Sequence, residues 1–241
     1  MLSSLLNFRD IGGMRTRTGT TVAHGLVYRS DGLTHLSPAE REHLRDDLGV
    51  RTIIDLRSGL EHERLGRYDP ITFGATRVLE MPVLDGAVMR EQASRGELDM
   101  DTMYRAIAFD GAPHVRAALS TLTDDQRLPA VIACTGGKDR TGVAIAILLA
   151  ALDVPIDTIL DDYDRSAAAT DGLRLRVLGR IEGDGVTVPE HVFAVDRRAV
   201  AAVLDDIGAT TADVDFYLGR LPDGTELGDA LRRRLLVGPT T

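Results

Sequence analysis

Cysteine and long apolar runs are scarce in this chain of 241 residues, and each scarcity excludes a class of protein. The single cysteine, Cys134, excludes an intramolecular disulfide and any metal site built from several cysteines. No stretch approaches the roughly 20 apolar residues of a membrane-spanning helix, so we expect no transmembrane segment. The first residues lack the basic segment and apolar core of a signal peptide, and a cytoplasmic location is therefore expected.

Basic residues are fewer than acidic ones, so the formal net charge of the chain is −9 at pH 7. A chain this acidic has no general affinity for polyanions, so we expect no nucleic-acid partner. The six histidines show no spacing typical of metal ligands, and we expect neither a metal nor a cofactor. The length fits one domain covering residues 1–241, and a monomer is expected.

The most informative segment of the chain is the stretch around its only cysteine. The apolar residues 131–133 predict a buried strand that ends at Cys134, and the long apolar run 143–152 predicts a buried helix. The short polar loop between them contains two glycines, and Arg140 lies six residues after Cys134. A strand, a tight loop and a helix N-terminus in this order predict a pocket for an anion, with a thiol at its floor.

The residue types in this loop suit the binding of a phosphate group. Gly136 and Gly137 allow the backbone to curl, so that successive N–H groups point at one anion. Arg140 can offer a planar, bidentate fork to two phosphate oxygens. The unpaired amides and the nearby cations favour the thiolate of Cys134, which is the nucleophilic form. The residues expected to line the phosphate site are Thr135, Gly136, Gly137, Lys138 and Thr141. The hydroxyl of Thr141 is expected to donate a hydrogen bond to the thiolate.

Strands alternate with helices along the chain, which predicts an α/β fold with a central, mostly parallel sheet of about four to five strands. We predict strands over 26–29, 51–56, 76–81 and 130–133. Helices are predicted over 37–49, 101–108, 113–122, 155–165 and along a helical C-terminal extension over 166–241, for which a lid over the pocket is one interpretation. Cys134, Asp55 and Arg57 follow the ends of predicted strands, so they are expected to meet in one crevice.

These segments together resemble one bacterial and fungal branch of the protein tyrosine phosphatase family. The stretch from Cys134 to Thr141 is similar to the Cys-x5-Arg-[Ser/Thr] signature of that family, and its ending Gly-Lys-Asp-Arg-Thr-Gly resembles the branch. Residues 7–13, 27–30, 55–58 with Glu61, and 161–163 are similar to its other sequence blocks. The resemblance implies a dual-specificity-like phosphatase fold and activity on phosphotyrosine, phosphoserine or phosphoinositides.

One position departs from the family pattern, because Ala133 stands where the family usually has a histidine before the nucleophile. That histidine helps to activate the thiol, so its absence predicts a higher thiol pKa than in relatives that contain it.

A phosphatase also needs a proton donor for the leaving oxygen. The resemblance implies Asp139 in this role, because relatives with the same Lys-Asp-Arg order use that aspartate. Asp55 and Asp85 are the alternatives, although Asp85 before Gly86 is also typical of a turn. Arg57 is expected to support the site by orienting Asp139 or Asp55, or to form a plain ion pair. Lys138 either contacts a second phosphate of a phosphoinositide or a carboxylate of the substrate, or lies on the solvent-exposed rim of the loop.

The sequence thus predicts a cysteine-dependent phosphomonoester hydrolase that acts through a thiophosphate intermediate. Phosphorylated proteins or phosphoinositides are the expected substrates, and phosphate or sulfate is expected to fit the pocket. The alternative, which Ala133 favours, is a catalytically weak phosphate-binding sensor or adaptor. Sulfur transfer or arsenate reduction can also use such a loop, but arsenate reduction normally recruits further thiols, and this chain has only one.

Overall fold

The computed structural model describes residues 2–68, 74–84, 99–181, 193–208 and 211–238. Within them, five strands form a central sheet in the order β1-β3-β6-β4-β5. Only β1 is antiparallel to its neighbour, and the other pairs are parallel. The strands of this sheet are β1 Arg9–Asp10, β3 Val27–Ser30, β4 Thr52–Asp55, β5 Arg77–Glu80 and β6 Ala130–Ala133, and a separate pair joins β2 Thr21–Val22 to β7 Leu236–Val237.

The parallel register brings four strand ends to the same edge of the sheet. Ala133 lies between Ser30 and Asp55, and Asp55 pairs in turn with Glu80. Cys134 therefore begins its loop beside the residues that follow β3 and β4. This edge is where an open α/β sheet binds its ligands, as the sequence predicts.

The strands are connected and covered by helices. In chain order these are α1 Pro38–Glu42, α2 Gly59–Leu65, α3 Met100–Phe109, α4 Ala112–Thr121, α5 Asp139–Ala151, α6 Ile156–Asp164, α7 Thr170–Ile181, α8 Arg197–Ile207, α9 Thr211–Leu218 and α10 Leu227–Leu235. No described helix is long and apolar enough to cross a membrane. The mostly parallel α/β fold predicted from the sequence is confirmed.

The helix that follows the cysteine loop, α5, lies at the centre of the molecule. Almost every side chain from Thr141 to Ala151 is buried, which explains why the sequence shows an unbroken apolar run here. Helices α3, α6, α8 and α9 all pack against it. A helix N-terminus fixed this firmly can hold the loop before it in one position.

The C-terminal helices α8, α9 and α10 belong to the same hydrophobic core as α5. Val203, Val214 and Leu231, one from each helix, are buried in one cluster with Ile145 and Leu148 of α5. The sequence also predicts a turn at 183–185, and these positions lie outside the described residues. The two-residue strands β1, β2 and β7 and the short helix α2 are absent from the sequence prediction, because elements this short show no clear periodicity.

Candidate active site

Cys134 lies at the bottom of a tight loop between β6 and α5. Only 2% of the surface of Cys134 is exposed to solvent. The loop ends at Lys138, and α5 begins at Asp139. A thiol therefore lies beneath the N-terminus of a buried helix, where unpaired backbone N–H groups favour an anion.

Gly137 adopts a conformation that a side chain would prevent. Its φ is +63°, in the left-handed region. A Cβ at this position would lie 2.5 Å from backbone atoms of Ser30 and Asp31. Glycine is thus required here both for its φ and for the close approach of two backbone segments.

Three carbonyl groups of the loop are held by the surrounding scaffold. The amide of Asn7 donates to the carbonyls of Gly136 and Gly137, at 3.1 and 3.0 Å. Arg29 donates to the Gly137 carbonyl at 2.8 Å, and the Gly32 N–H donates to the Thr135 carbonyl at 3.1 Å. Carbonyls turned toward the scaffold leave the N–H groups of a curled loop to face an anion.

A buried ion network lies behind these contacts and joins three elements. The carboxylate of Asp162 in α6 accepts from Arg9 of β1 at 2.8 Å and from Arg29 of β3 at 2.6 Å. Arg29 is fully buried, and burial together with the charge of Arg9 lowers its pKa to about 10. Burial acts to raise the pKa of Asp162, but the two guanidinium groups outweigh it and lower that pKa.

Arg140 is held in place by a carboxylate from α2. Its two terminal nitrogens donate to the two oxygens of Glu61, at 2.5 and 2.6 Å. Glu61 also completes the capping box of α2, because it accepts from the Ser58 N–H at 2.8 Å. The Thr135 hydroxyl donates to the same carboxylate. The cap of α2 therefore fixes the orientation of the guanidinium at the mouth of the loop.

The charges of this pair support one another. Burial acts to raise the pKa of Glu61, but Arg140 and Thr135 outweigh it and hold that pKa well below its usual range. Burial acts to lower the pKa of Arg140, and the carboxylate of Glu61 overcomes it, so that pKa is raised. Both groups are therefore charged at neutral pH.

Asp139 is the first residue of α5, and one oxygen of its carboxylate is firmly held. The Tyr104 hydroxyl donates to Oδ1 of Asp139 at 2.5 Å, and Nζ of Lys138 lies 3.3 Å from the same oxygen. Nζ of Lys138 also donates to the Ala194 carbonyl at 2.6 Å. Lys138 is only 5% exposed, so it does not lie on the solvent-exposed rim that one interpretation of the sequence placed it on.

Asp55 and Arg57 form a buried ion pair with each other. The guanidinium of Arg57 donates to Asp55 at 2.9 and 2.8 Å and stacks on the Tyr68 ring, 3.9 Å from its centroid. His62 lies 2.9 Å from the same carboxylate. Of the alternatives from the sequence, Arg57 therefore orients Asp55 and not Asp139, and Asp55 is fully engaged in structural contacts.

The remaining predicted positions give a mixed result. Thr141 is fully buried, but among the described residues its hydroxyl has no hydrogen-bond partner, so the expected bond to Cys134 is not formed. Asp85, the alternative proton donor, lies outside the described residues.

Several residues that support the site have no role in the sequence prediction. Glu61, Asn7, Arg29 and Asp162 lie within the sequence blocks that carry the family resemblance, and that resemblance is the signal that could have found them. Tyr163 also lies within such a block, whereas Tyr104 shows no such signal, because only the fold brings it to Asp139.

Comparisons with known proteins find similar proteins over most of the chain. A family model described as the tyrosine phosphatase family matches residues 1–237. A putative tyrosine-protein phosphatase of Cupriavidus necator is 30% identical over 221 residues, which cover 89% of this chain and 81% of that protein. The triple specificity protein phosphatase PtpB of Mycobacterium tuberculosis is 30% identical over 258 residues, covering 93% of this chain and 91% of PtpB.

Two solved structures are more distant. TpbA of P. aeruginosa is 16% identical, with a TM-score of 0.44 and coverage of 84% of this chain and 91% of TpbA. The core catalytic domain of the PP-IP phosphatase SIW14 of S. cerevisiae is 15% identical, with a TM-score of 0.41 and coverage of 66% and 91%. Similarity this low carries no argument, whereas the family model spans nearly the whole chain. The chain belongs to the tyrosine phosphatase family, and the protein is a phosphatase.

Proposed function

We propose that this phosphatase hydrolyses phosphomonoesters with Cys134 as its nucleophile. The observation that carries the proposal is the buried thiol at the floor of the loop, together with Arg140 fixed by two bonds to Glu61 at the same site. Preorganised donors of this kind stabilise the charge of a transferring phosphoryl group without reorganising during the reaction.

Two chemical steps follow from this arrangement. The thiolate of Cys134 attacks phosphorus, and a sulfur–phosphorus bond forms as the ester bond between phosphorus and the leaving oxygen breaks. Asp139 gives its proton to that oxygen, while Arg140 and the loop amides hold the other phosphate oxygens. Water then attacks phosphorus, its proton passes to Asp139, and the sulfur–phosphorus bond breaks to release phosphate.

The substrates that we propose are proteins carrying phosphotyrosine or phosphoserine, or phosphoinositides. The relative PtpB is named a triple specificity phosphatase, which supports activity on more than one of these classes. Contact between Lys138 and a second phosphate of the substrate has less support. The ammonium group of Lys138 already donates a hydrogen bond to the Ala194 carbonyl. We further propose that phosphate or sulfate fits the same pocket. The cytoplasmic location and the monomeric state stay predictions.

Replacement of Cys134 by serine tests the nucleophile. We expect Cys134→Ser to abolish hydrolysis of an aryl phosphate while inorganic phosphate still binds, because the loop amides and Arg140 are unchanged. Calorimetry measures the binding, and a panel of phosphopeptides and phosphoinositides measures the turnover. Near wild-type turnover by this variant would show that the thiolate mechanism is wrong.

The same measurements separate the enzyme from a phosphate-binding sensor. If the wild-type protein binds phosphate but hydrolyses no member of the panel, the sensor is the better description. Arg140→Lys is the second variant, because lysine keeps the charge but lacks the bidentate fork. We expect it to lower kcat by about 10²–10³, the loss typical of removing one preorganised donor.

A further inference from the structure

The carboxyl group of Asp139 is engaged on one oxygen only. Tyr104 and Lys138 both approach Oδ1, and Oδ2 accepts no hydrogen bond within the described part of the chain. Tyr104 donates to Oδ1, and the ammonium group of Lys138, which can only donate, lies beside the same oxygen, so both contacts favour Oδ1 as an acceptor. The proton of a neutral Asp139 is therefore carried on Oδ2, the oxygen left for the leaving group.

A second tyrosine extends this contact. The hydroxyls of Tyr104 and Tyr163 lie 2.5 Å apart, and their rings meet edge to face. Because Tyr104 has one proton and gives it to Asp139, the bond between the two hydroxyls must be donated by Tyr163. A chain of donors thus leads from Tyr163 through Tyr104 to Oδ1.

We propose that Tyr104 and Tyr163 are positioning residues that fix the carboxyl of Asp139 with its protonated oxygen toward the substrate. The inference rests on the proposed function, in which Asp139 protonates the leaving oxygen. The two tyrosines come from different helices, α3 and α6, so the position of the carboxyl depends on how these helices pack against α5.

The surroundings of the two hydroxyls keep them in the state that this role requires. Tyr104 is fully buried, and Tyr163 is 1% exposed. Burial, followed by the negative charge of Asp139, raises the pKa of both phenols. Each phenol therefore remains a neutral hydrogen-bond donor.

Removal of the Tyr104 hydroxyl tests the proposal. We expect Tyr104→Phe to lower kcat about tenfold for alkyl phosphates, a part of the 10²–10⁴ that general acid catalysis contributes. Aryl phosphates with acidic leaving groups need little protonation, so their kcat should change much less, and KM should change little for either. Tyr163→Phe should show the same pattern with a smaller loss, because it acts through Tyr104.

Tyr217→Phe is the matched control. Its hydroxyl is also buried and donates to the carbonyl of Ala108, which lies on the same helix as Tyr104. A structural effect passed through α3 would appear in this variant too, whereas the proposal predicts no change in the dependence on the leaving group. If the Tyr104 and Tyr163 variants lower kcat equally for all leaving groups, or if Tyr217→Phe reproduces their pattern, the positioning role is overturned.

Asp139→Asn separates this inference from the proposed function. We expect it to show the strongest dependence on the leaving group, with no further loss when Tyr104→Phe is added, because the tyrosine acts only through the aspartate. If Asp139→Asn shows the dependence and the tyrosine variants do not, the acid is correct and the positioning role is wrong. If Asp139→Asn shows no dependence, the acid has been misassigned and the inference fails with it.

Discussion

At the scale of single residues, the loop depends on two neighbouring glycines that have different tasks. A Cβ on Gly137 would meet the backbone of Ser30 at 2.5 Å, at a φ of +63°. A Cβ on Gly136 would meet the Leu173 side chain at 3.6 Å, which is an ordinary contact. Only Gly137 is therefore required by the backbone itself.

We expect Gly137→Ala to destabilise the protein by at least the roughly 1–3 kcal/mol of a strained left-handed residue, because the clash adds to the strain. Phosphate affinity should fall as well, since the loop must move away from β3. Urea unfolding and calorimetry with inorganic phosphate measure the two effects. Gly136→Ala is the control for stability, and an equal loss in both variants would contradict this account.

The chemistry of the site was predictable at this scale, but its supports were not. Cys134, Arg140 and the glycines lie in one short segment, where spacing alone indicates an anion loop. Glu61 lies 79 residues before Arg140, and no local pattern connects them. Ala133 is fully buried in a cluster with Leu33 and Tyr68, so a histidine at this position would have to displace packed side chains.

At the scale of elements, Asp162 couples α6 to two strands of the sheet. Its carboxylate balances the positive charges of Arg9 and Arg29. Arg29 also donates a hydrogen bond to the carbonyl of Gly137. Removing one partner from a buried ion network leaves an uncompensated charge. The packing of α6 against β1 and β3 therefore bears directly on the shape of the phosphate loop.

We expect Asp162→Asn to lower the free energy of unfolding by about 3–5 kcal/mol at neutral pH, because Arg29 remains buried. Asp161→Asn is the matched control: its carboxylate is 73% exposed and pairs with Arg197, so its loss should be about 0–1 kcal/mol. Urea unfolding of both variants measures the difference. Equal effects would show that the network adds no stability.

The pH dependence of this contribution has a definite sign. The pKa of Asp162 is lower in the folded protein than in the unfolded chain, so its contribution is present above the unfolded value of about 3.9. It is lost as the pH falls through the lower, folded value. The gap between the wild type and Asp162→Asn should therefore be widest at neutral pH and narrow in acid.

Long elements were predictable from the sequence, and the short ones that support the site were not. The strand at 130–133 agrees with the prediction at both ends, and the apolar run 143–152 lies almost wholly within α5. β1 has two residues and is antiparallel to β3, and its periodicity is too short to recognise. Its position next to β3 nevertheless places Asn7 and Arg9 beside the loop.

At the scale of the whole molecule, the C-terminal helices complete the core around α5 and do not form a separate layer. Leu231 of α10 is fully buried in the cluster that contains α5, although it lies 97 residues after Cys134 in the sequence. The single-domain organisation, with a helical extension over 166–241, stays a prediction. A shared core predicts that the site and the extension unfold together.

Leu231→Ala tests this cooperativity. We expect it to lower the free energy of unfolding by about 2–5 kcal/mol, the cost of a large cavity in a packed core. Loss of phosphatase activity and loss of helical circular dichroism should shift to lower urea concentration together, because both report the same core. Phe216→Ala is the control, since Phe216 is 91% exposed and its removal should change stability by no more than about 0.5 kcal/mol. Two separate transitions, with activity retained after the helical signal of the extension is lost, would show that residues 166–241 form an independent unit.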